Sequence, residues 1–166
     1  GPIGAAFIAK TFPAAKVALV SDKSEYGQGL VSAVRDALSK DGISVTLDDA
    51  INPGEKDYSA LIAKLKAQGV EVLYYGGYHT EAGLIMRQAS DTGLDLKIIG
   101  ADSLNTAELA AIVGANASNI YFTFPRDATK TEKGEALAEE FGKHNMNPGG
   151  LTLYSYAIIQ AFADAA

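Results

Sequence analysis

The stretch VEVLYYGGYH, residues 70–79, indicates the fold of this chain more clearly than any other. It is a short apolar run rich in β-formers that ends in Gly76 and Gly77, with an aromatic residue, Tyr78, just beyond. Glycine lacks a Cβ, so a ligand or a neighbouring backbone can approach such a strand end closely. In open α/β sheets, ligands bind outside the carboxyl ends of the strands. The stretch therefore predicts a buried parallel strand whose end forms the rim of a binding site, to which Tyr78 offers a ring and one hydroxyl.

Four more apolar runs have the same character, and helical patterns separate them. The predicted strands are residues 16–21, 43–47, 70–75, 97–100 and 120–124. The predicted helices are residues 3–12, 26–41, 58–68, 80–92, 132–144 and 151–166, with one more beginning at Thr106 as N-cap. Strands that alternate with helices every 20–30 residues, and that are apolar throughout, predict an α/β fold. We expect a doubly wound, mainly parallel sheet with helices on both faces.

Composition excludes several classes of function. The 166 residues suit one domain, since domains usually have about 100–200 residues. The 20 acidic and 14 basic side chains give a net charge of −6 without a basic stripe, so nucleic acid is not an expected partner. No apolar run approaches the ~18–20 residues of a membrane span. The absence of cysteine excludes disulfides, thiolate nucleophiles and cysteine zinc sites.

The two ends of the chain lack the patterns that usually begin a signal peptide and end a helix. The first residues, GPIG, lack the basic start and apolar centre of a signal peptide. The last residues, QAFADAA, stop inside a helical pattern without a glycine cap or a following proline. The abrupt stop suggests a fragment.

Side chains suited to ligand binding follow three of the predicted strands. Tyr26 comes after the first strand, Tyr78 after the third, and Asp102 with Ser103 after the fourth. Loops after parallel strands meet at one edge of the sheet, so two aromatic rings and a carboxylate are expected to converge there. A carboxylate at such a rim pairs with an ammonium group, on which tyrosine rings can pack. The structural alternatives are that Asp102 is a turn or cap residue, that Tyr26 anchors the first turn of its helix, and that Tyr78 is a partly buried structural tyrosine.

Motifs for catalysis are missing. The chain has two histidines, His79 and His144, and no serine in a nucleophile-elbow pattern. Asp22 follows the first strand but lacks neighbouring carboxylates that would bind a metal. The GQG at residues 27–29 continues to Ser32, where a dinucleotide motif would have its third glycine. We therefore expect no enzymatic activity, no cofactor and no metal.

Four motifs occur in register along the chain: KSEYGQG at 23–29, PGEKDYS at 53–59, YYGGYH at 74–79 and IIGADS at 98–103. Together they resemble the periplasmic branched-chain amino-acid binding proteins of ABC transporters, the type I Leu/Ile/Val-binding class. The resemblance runs from Gly1 to the last helix. It implies that residues 1–166 form the second of two lobes that clamp an amino acid, and that the first lobe is missing. The last helix, about 151–166, is similar to a segment that crosses back to the first lobe.

The resemblance also implies roles for single residues. Tyr26 matches a tyrosine near the ligand, and Tyr78 matches one that packs over the amino-acid backbone. Asp102 lies where leucine-type members carry a glutamate that pairs with the α-ammonium of the ligand. This departure keeps the charge and shortens the reach by one methylene, so other small aliphatic amino acids stay among the expected ligands. Gly77 and Ser103 complete the expected ligand-binding set.

The partners implied by the resemblance are an amino acid, an ABC permease in the membrane and the missing first lobe, in the periplasm. The mechanism it implies is hinge closure around the ligand without chemistry. A fragment that exposes its cleft and hinge surfaces would also be expected to dimerise. The alternative is a ligand-sensing domain of a repressor or receptor with the same fold, in which closure would drive a dimer.

Overall fold

The computed structural model describes residues 1–166 and contains seven α-helices and five β-strands. The helices are α1 Pro2–Thr11, α2 Glu25–Lys40, α3 Ser59–Gln68, α4 His79–Asp91, α5 Ala107–Val113, α6 Glu132–Lys143 and α7 Thr152–Asp164. The strands are β1 Val17–Ser21, β2 Val45–Ala50, β3 Val72–Gly76, β4 Lys97–Gly100 and β5 Ile120–Phe122. Short 3₁₀ helices cover Asp102–Leu104, Gly114–Asn119 and Ala128–Lys130. The chain forms two compact units, Gly1–Phe124 and Pro125–Ala166.

The first unit contains a single sheet in which every strand pair is parallel. The strand order is β2-β1-β3-β4-β5, so β1, β3 and β4 lie side by side at its centre. Alternate strand residues enter two separate cores. Leu73 and Tyr75 pack with α3, α4 and α5 on one face, whereas Val72 and Tyr74 pack with α1 and α2 on the other. The predicted doubly wound sheet with helices on both faces is therefore confirmed.

The edge strand β2 departs from the prediction. Its side chains alternate between half-buried and exposed, and it extends to Ala50 instead of ending at residue 47. The prediction that all strands are apolar throughout is wrong here, because β2 has a neighbour on one side only. Asp48 and Asp49 lie on this strand, and each accepts a bond of 2.6 Å from a cation, Arg35 and Lys64 respectively. Charged side chains of this kind protect an open sheet edge from pairing with other chains.

Most predicted boundaries lie within two residues of the observed ones. Helix α3 ends at Gly69, which has the positive φ of 66° that a left-handed C-cap requires. Thr106 caps α5 by accepting a hydrogen bond from Leu109 N. The last strand stops at Phe122, two residues before the predicted end.

The second unit has little core of its own. Helices α6 and α7 meet through an edge-to-face contact of Phe141 with Tyr156, whose ring centroids are 5.7 Å apart. Gly134 and Leu153 are the only buried residues of the two helices. The exposed apolar side chains in and beside α7 are Leu151, Tyr154, Tyr156, Ile158, Ile159 and Phe162.

The prediction of one domain over residues 1–166 does not include this division into two units. The assignment of the last helix to another lobe stays a prediction. No helix of the chain has both the length and the apolar content that crossing a bilayer requires.

Candidate functional site

The candidate site is built on three loops at the carboxyl edge of the sheet. They follow the adjacent strands β1, β3 and β4, and they comprise residues 22–24, 77–78 and 101–103. Because neighbouring parallel strands end side by side, residues far apart in sequence become neighbours here. This placement brings together Tyr26, Gly77, Tyr78, Asp102 and Ser103.

Tyr26 is positioned by the cap of α2. Ser24 is the N-cap, and its Oγ accepts a hydrogen bond of 2.9 Å from Gly27 N. Ser24 Oγ in turn donates to the buried carboxylate of Asp22 at 2.5 Å, and Ser24 N donates to the same oxygen at 3.0 Å. Asp22 therefore supports the loop that begins α2. Tyr26, in the first turn of this helix, is held over the sheet edge as a result.

The glycines of the site serve close packing. Gly76 at the end of β3 lies against Gly27 of α2, and a Cβ on either residue would overlap the carbonyl of the other. Asp22 N also donates to Gly76 O at 2.9 Å. A Cβ on Gly77 would overlap the hydroxyl and ring of Tyr75. These contacts explain both glycines without a ligand, and direct contact of Gly77 with a ligand stays a prediction.

The two tyrosine rings form an aromatic pair. The centroids of Tyr26 and Tyr78 are 5.5 Å apart, with 32° between the ring planes. Tyr26 is half-buried, whereas Tyr78 is 49% exposed. Offset and tilted pairs of this kind are favourable for aromatic rings. Tyr78 therefore keeps much of its ring available for a further contact.

A hydrogen-bonded network joins the rings to the loop after β4. Tyr26 Oη donates to Asp102 Oδ1 at 3.0 Å and lies 3.3 Å from Ser103 Oγ. Ser103 Oγ donates to Gly77 O at 2.6 Å. Burial raises the pKa of the Tyr26 hydroxyl, so it keeps its proton at neutral pH.

The carboxylate of Asp102 has no cationic partner. No lysine, arginine or histidine of the chain forms an ion pair with it. Its side chain is half-buried, and partial burial strengthens the attraction of a carboxylate for a cation. The arrangement can therefore bind a positively charged group beside two aromatic rings. His79 begins α4, and no group of three or more His, Asp or Glu side chains is placed to hold a metal ion.

Two residues of α4 that hold the neighbouring loop were not predicted from the sequence. Glu81, which is buried, accepts a hydrogen bond of 3.0 Å from Gly54 N. Gln88 accepts from Tyr58 N and donates to Lys56 O, both at 2.8 Å. These contacts fix the PGEKDYS motif on α4. These bonds join residues about 30 positions apart, so no pattern within a short stretch of sequence indicates them.

Comparison with known proteins shows which family the chain is similar to. Residues 3–166 match the family model described as "Periplasmic binding protein". The chain is 43% identical over 166 residues to the Leu/Ile/Val-binding protein homolog 1 of Brucella melitensis. It is 36% identical over 164 residues to the leucine-, isoleucine-, valine-, threonine- and alanine-binding protein of Pseudomonas aeruginosa. The matches cover 100% and 98% of this chain but only 45% and 44% of the relatives, so the chain spans less than half of their length.

A solved structure shows the same likeness. The branched-chain amino acid transporter substrate binding protein LivJ of Streptococcus pneumoniae, in complex with isoleucine, superposes with a TM-score of 0.78 at 27% identity. The match covers 98% of this chain and 47% of that one. All three of these proteins are named for the amino acids or substrates that they bind. On its motifs, its sheet and this match along nearly its whole length, the chain belongs to the periplasmic binding protein family.

Proposed function

We propose that residues 1–166 are part of a substrate-binding protein that delivers a small aliphatic amino acid to an ABC importer. The observation that carries the proposal is the carboxylate of Asp102, half-buried, without a cationic partner and joined to an aromatic pair. An α-ammonium group would pair with this carboxylate through charge-assisted hydrogen bonds. Tyr78 would pack on the cation or on the aliphatic part of the ligand.

The ligand class follows from the charge and from the relatives. The anchor is acidic, so it favours the ammonium end of an amino acid over the carboxylate end. The Pseudomonas relative is named for leucine, isoleucine, valine, threonine and alanine. We assign this chain to the same range of small, mostly aliphatic amino acids, and leave the selection of the side chain to the opposing lobe.

The opposing lobe is the second part of the proposal. The relatives are about twice as long as this chain, and their remaining length is enough for another lobe of similar size. The exposed apolar side chains of α7 would pack against that lobe, since patches of this kind mark interaction surfaces. Closure of the two lobes around the amino acid would create the form that the permease recognises, in the periplasm. In the isolated chain the same surface would favour a dimer.

The first experiment is calorimetric titration of the full-length gene product with L-leucine, comparing wild type with Asp102→Ala. Loss of the partner of a desolvated ammonium group weakens binding by at least about 2 kcal/mol, or about 30-fold. The control is Asp91→Ala, which removes an exposed carboxylate at the far end of α4, about 18 Å along the helix from His79. Equal affinity of wild type and Asp102→Ala would remove Asp102 from the site.

A further inference from the structure

The hydroxyl of Tyr75 is buried and forms no hydrogen bond within the chain. The side chain is 0% exposed, and its hydroxyl packs against Gly77 so closely that a Cβ on the glycine would overlap it. A phenol has one proton to donate, and an unpaired polar group in a protein interior costs about 1–3 kcal/mol. Buried polar groups are nearly always paired, with protein or with ordered water. The groups around Tyr75 therefore indicate what its partner is.

The carboxylate of Glu81 lies at the same end of the core. Glu81 is 8% exposed and stands in the first turn of α4, the helix that follows β3. Its Oε1 accepts the bond from Gly54 N, and the loop of Gly54 is held to the core by the bond from Tyr58 Oη to Asn52 O. Tyr58 and Tyr75 belong to one hydrophobic cluster. The loop and the first turn of α4 thus bring the Glu81 carboxylate to the polar end of this cluster.

Asp22 supplies a second buried carboxylate, 2% exposed. Its backbone N donates to Gly76 O, next to Tyr75 in β3, and its Oδ1 accepts both bonds from Ser24. Burial raises the pKa of the Tyr75 hydroxyl, and the nearby charges of Glu81 and Asp22 raise it further. Neither carboxylate forms an ion pair or bonds the hydroxyl directly. With Oδ1 and Oε1 engaged, Asp22 Oδ2 and Glu81 Oε2 are the oxygens left for another donor.

We propose that these groups bind a buried water molecule, which accepts the proton of Tyr75 Oη and donates its own hydrogens to Glu81 Oε2 and Asp22 Oδ2. Buried waters make about three hydrogen bonds to groups that are otherwise unsatisfied, and one donor with two acceptors matches that number. A metal cation would suit the two carboxylates, but it has no lone pair for the hydroxyl proton. The water joins β3, the loop after β1 and α4 beside Gly77. This inference does not depend on the proposed function.

The first test is a high-resolution crystal structure of the full-length gene product. It should show a density peak about 2.7–3.0 Å from Tyr75 Oη and from an oxygen of each carboxylate, the distances of hydrogen bonds between oxygens. The absence of a peak would overturn the inference. So would a peak about 2.3–2.6 Å from the carboxylate oxygens, since such distances are those of a bound calcium ion.

The second test is urea unfolding of the same protein at pH 7. Tyr75→Phe keeps the ring and removes the donor, so the unfolding equilibrium constant should rise about fivefold to tenfold, the scale of one hydrogen bond. The matched control is Tyr74→Phe, which should leave this constant unchanged. The Tyr74 hydroxyl is also buried and unpartnered, but it belongs to the opposite core, and neither Glu81 nor Asp22 acts on it. A Tyr75→Phe variant as stable as wild type would overturn the inference.

A double-mutant cycle tests whether a bridging molecule couples Tyr75 to Glu81. Glu81→Gln keeps one oxygen for Gly54 N and removes the acceptor for the water. Because Tyr75 is neutral at pH 7 and does not bond Glu81, the effects of the two substitutions on unfolding should be non-additive only if something connects them. We expect Tyr75→Phe to have a smaller effect in the Glu81→Gln background than in wild type. Equal effects in the two backgrounds would reject the shared water.

Discussion

Tyr26 Oη lies 3.0 Å from Asp102 Oδ1, although the two residues are 76 positions apart in the chain. Tyr26 follows β1 and Asp102 follows β4, and the sheet order places β3 between these two strands. The bond therefore spans the end of β3, where Gly76 and Gly77 leave no side chain in the way. Together with the bond from Ser103 Oγ to Gly77 O, it ties the first turn of α2 and the loops after β3 and β4 together at the candidate site.

Close packing of α2 on β3 predicts a large loss of stability in Gly76→Ala. The added Cβ would overlap the carbonyl of Gly27 and press on Val31, and backbone cannot yield as a side chain does. We expect the free energy of unfolding to fall by about 3 kcal/mol or more, measured by urea denaturation. The matched control is Gly29→Ala in the same helix, where a Cβ has open space. That variant should gain about 0.5–1 kcal/mol from helix propensity. A stable Gly76→Ala would contradict the packing described for the two glycines.

The anchoring of the PGEKDYS motif predicts a specific effect of Gln88→Ala. The substitution removes the acceptor for Tyr58 N and the donor to Lys56 O. Stability should fall by about 1–2 kcal/mol, and the Tyr58 amide should exchange its hydrogen faster. Gln68→Ala, at an exposed glutamine of α3, serves as control. Unchanged exchange at Tyr58 would show that α4 does not hold this loop.

The buried hydroxyl of Tyr74 predicts a pH dependence in the alkaline range. Burial raises the pKa of Tyr74 to about 12, above its ordinary value of 10, and the hydroxyl has no hydrogen-bond partner. As the pH rises, the unfolded state loses this proton before the folded state does. The contribution of the neutral Tyr74 hydroxyl to the free energy of unfolding is therefore complete below pH 10 and is lost as the pH rises towards 12. The difference between a pKa of 10 and one of about 12 corresponds to at most about 2.7 kcal/mol in the free energy of unfolding. Urea denaturation at pH 7 and across pH 10–12 should show a shallower alkaline decline for Tyr74→Phe. At pH 7 this variant should be as stable as wild type, because no bond is lost. Parallel alkaline curves for the two proteins would contradict the burial of this hydroxyl.

The exposed apolar surface of α7 predicts self-association of the 166-residue chain. Sedimentation velocity should show a concentration-dependent dimer, since contact between copies removes this apolar surface from water. Replacing Ile159 and Phe162 by glutamate should shift the chain towards monomer. A control with Glu139→Lys, on an exposed position of α6, should leave the association unchanged. A wild-type chain that stays monomeric at high concentration would reject the proposed dimer.

The central strands and their helices were predicted well from the sequence. Apolar runs such as residues 70–75 are removed from water only when both faces of the strand are buried. Prediction from the sequence failed for β2, where Asp48 and Asp49 lie inside a strand, since edge position is a property of the whole sheet. It singled out Tyr26, Tyr78 and Asp102 because they follow strands whose ends must meet. The sequence did not indicate Glu81 or Gln88, because each of them bonds a loop about 30 positions away in the chain. Nor could it give the orientation of Ser103, which depends on the carbonyl of Gly77.

A crystal structure of the full-length gene product with bound L-leucine would show whether Asp102 holds the ammonium group of the ligand. We predict that the ligand nitrogen lies about 2.7–2.9 Å from a carboxylate oxygen of Asp102, with the ring of Tyr78 packed against the ligand. A ligand whose ammonium group is held elsewhere, with Asp102 turned away from it, would contradict the proposed role of Asp102.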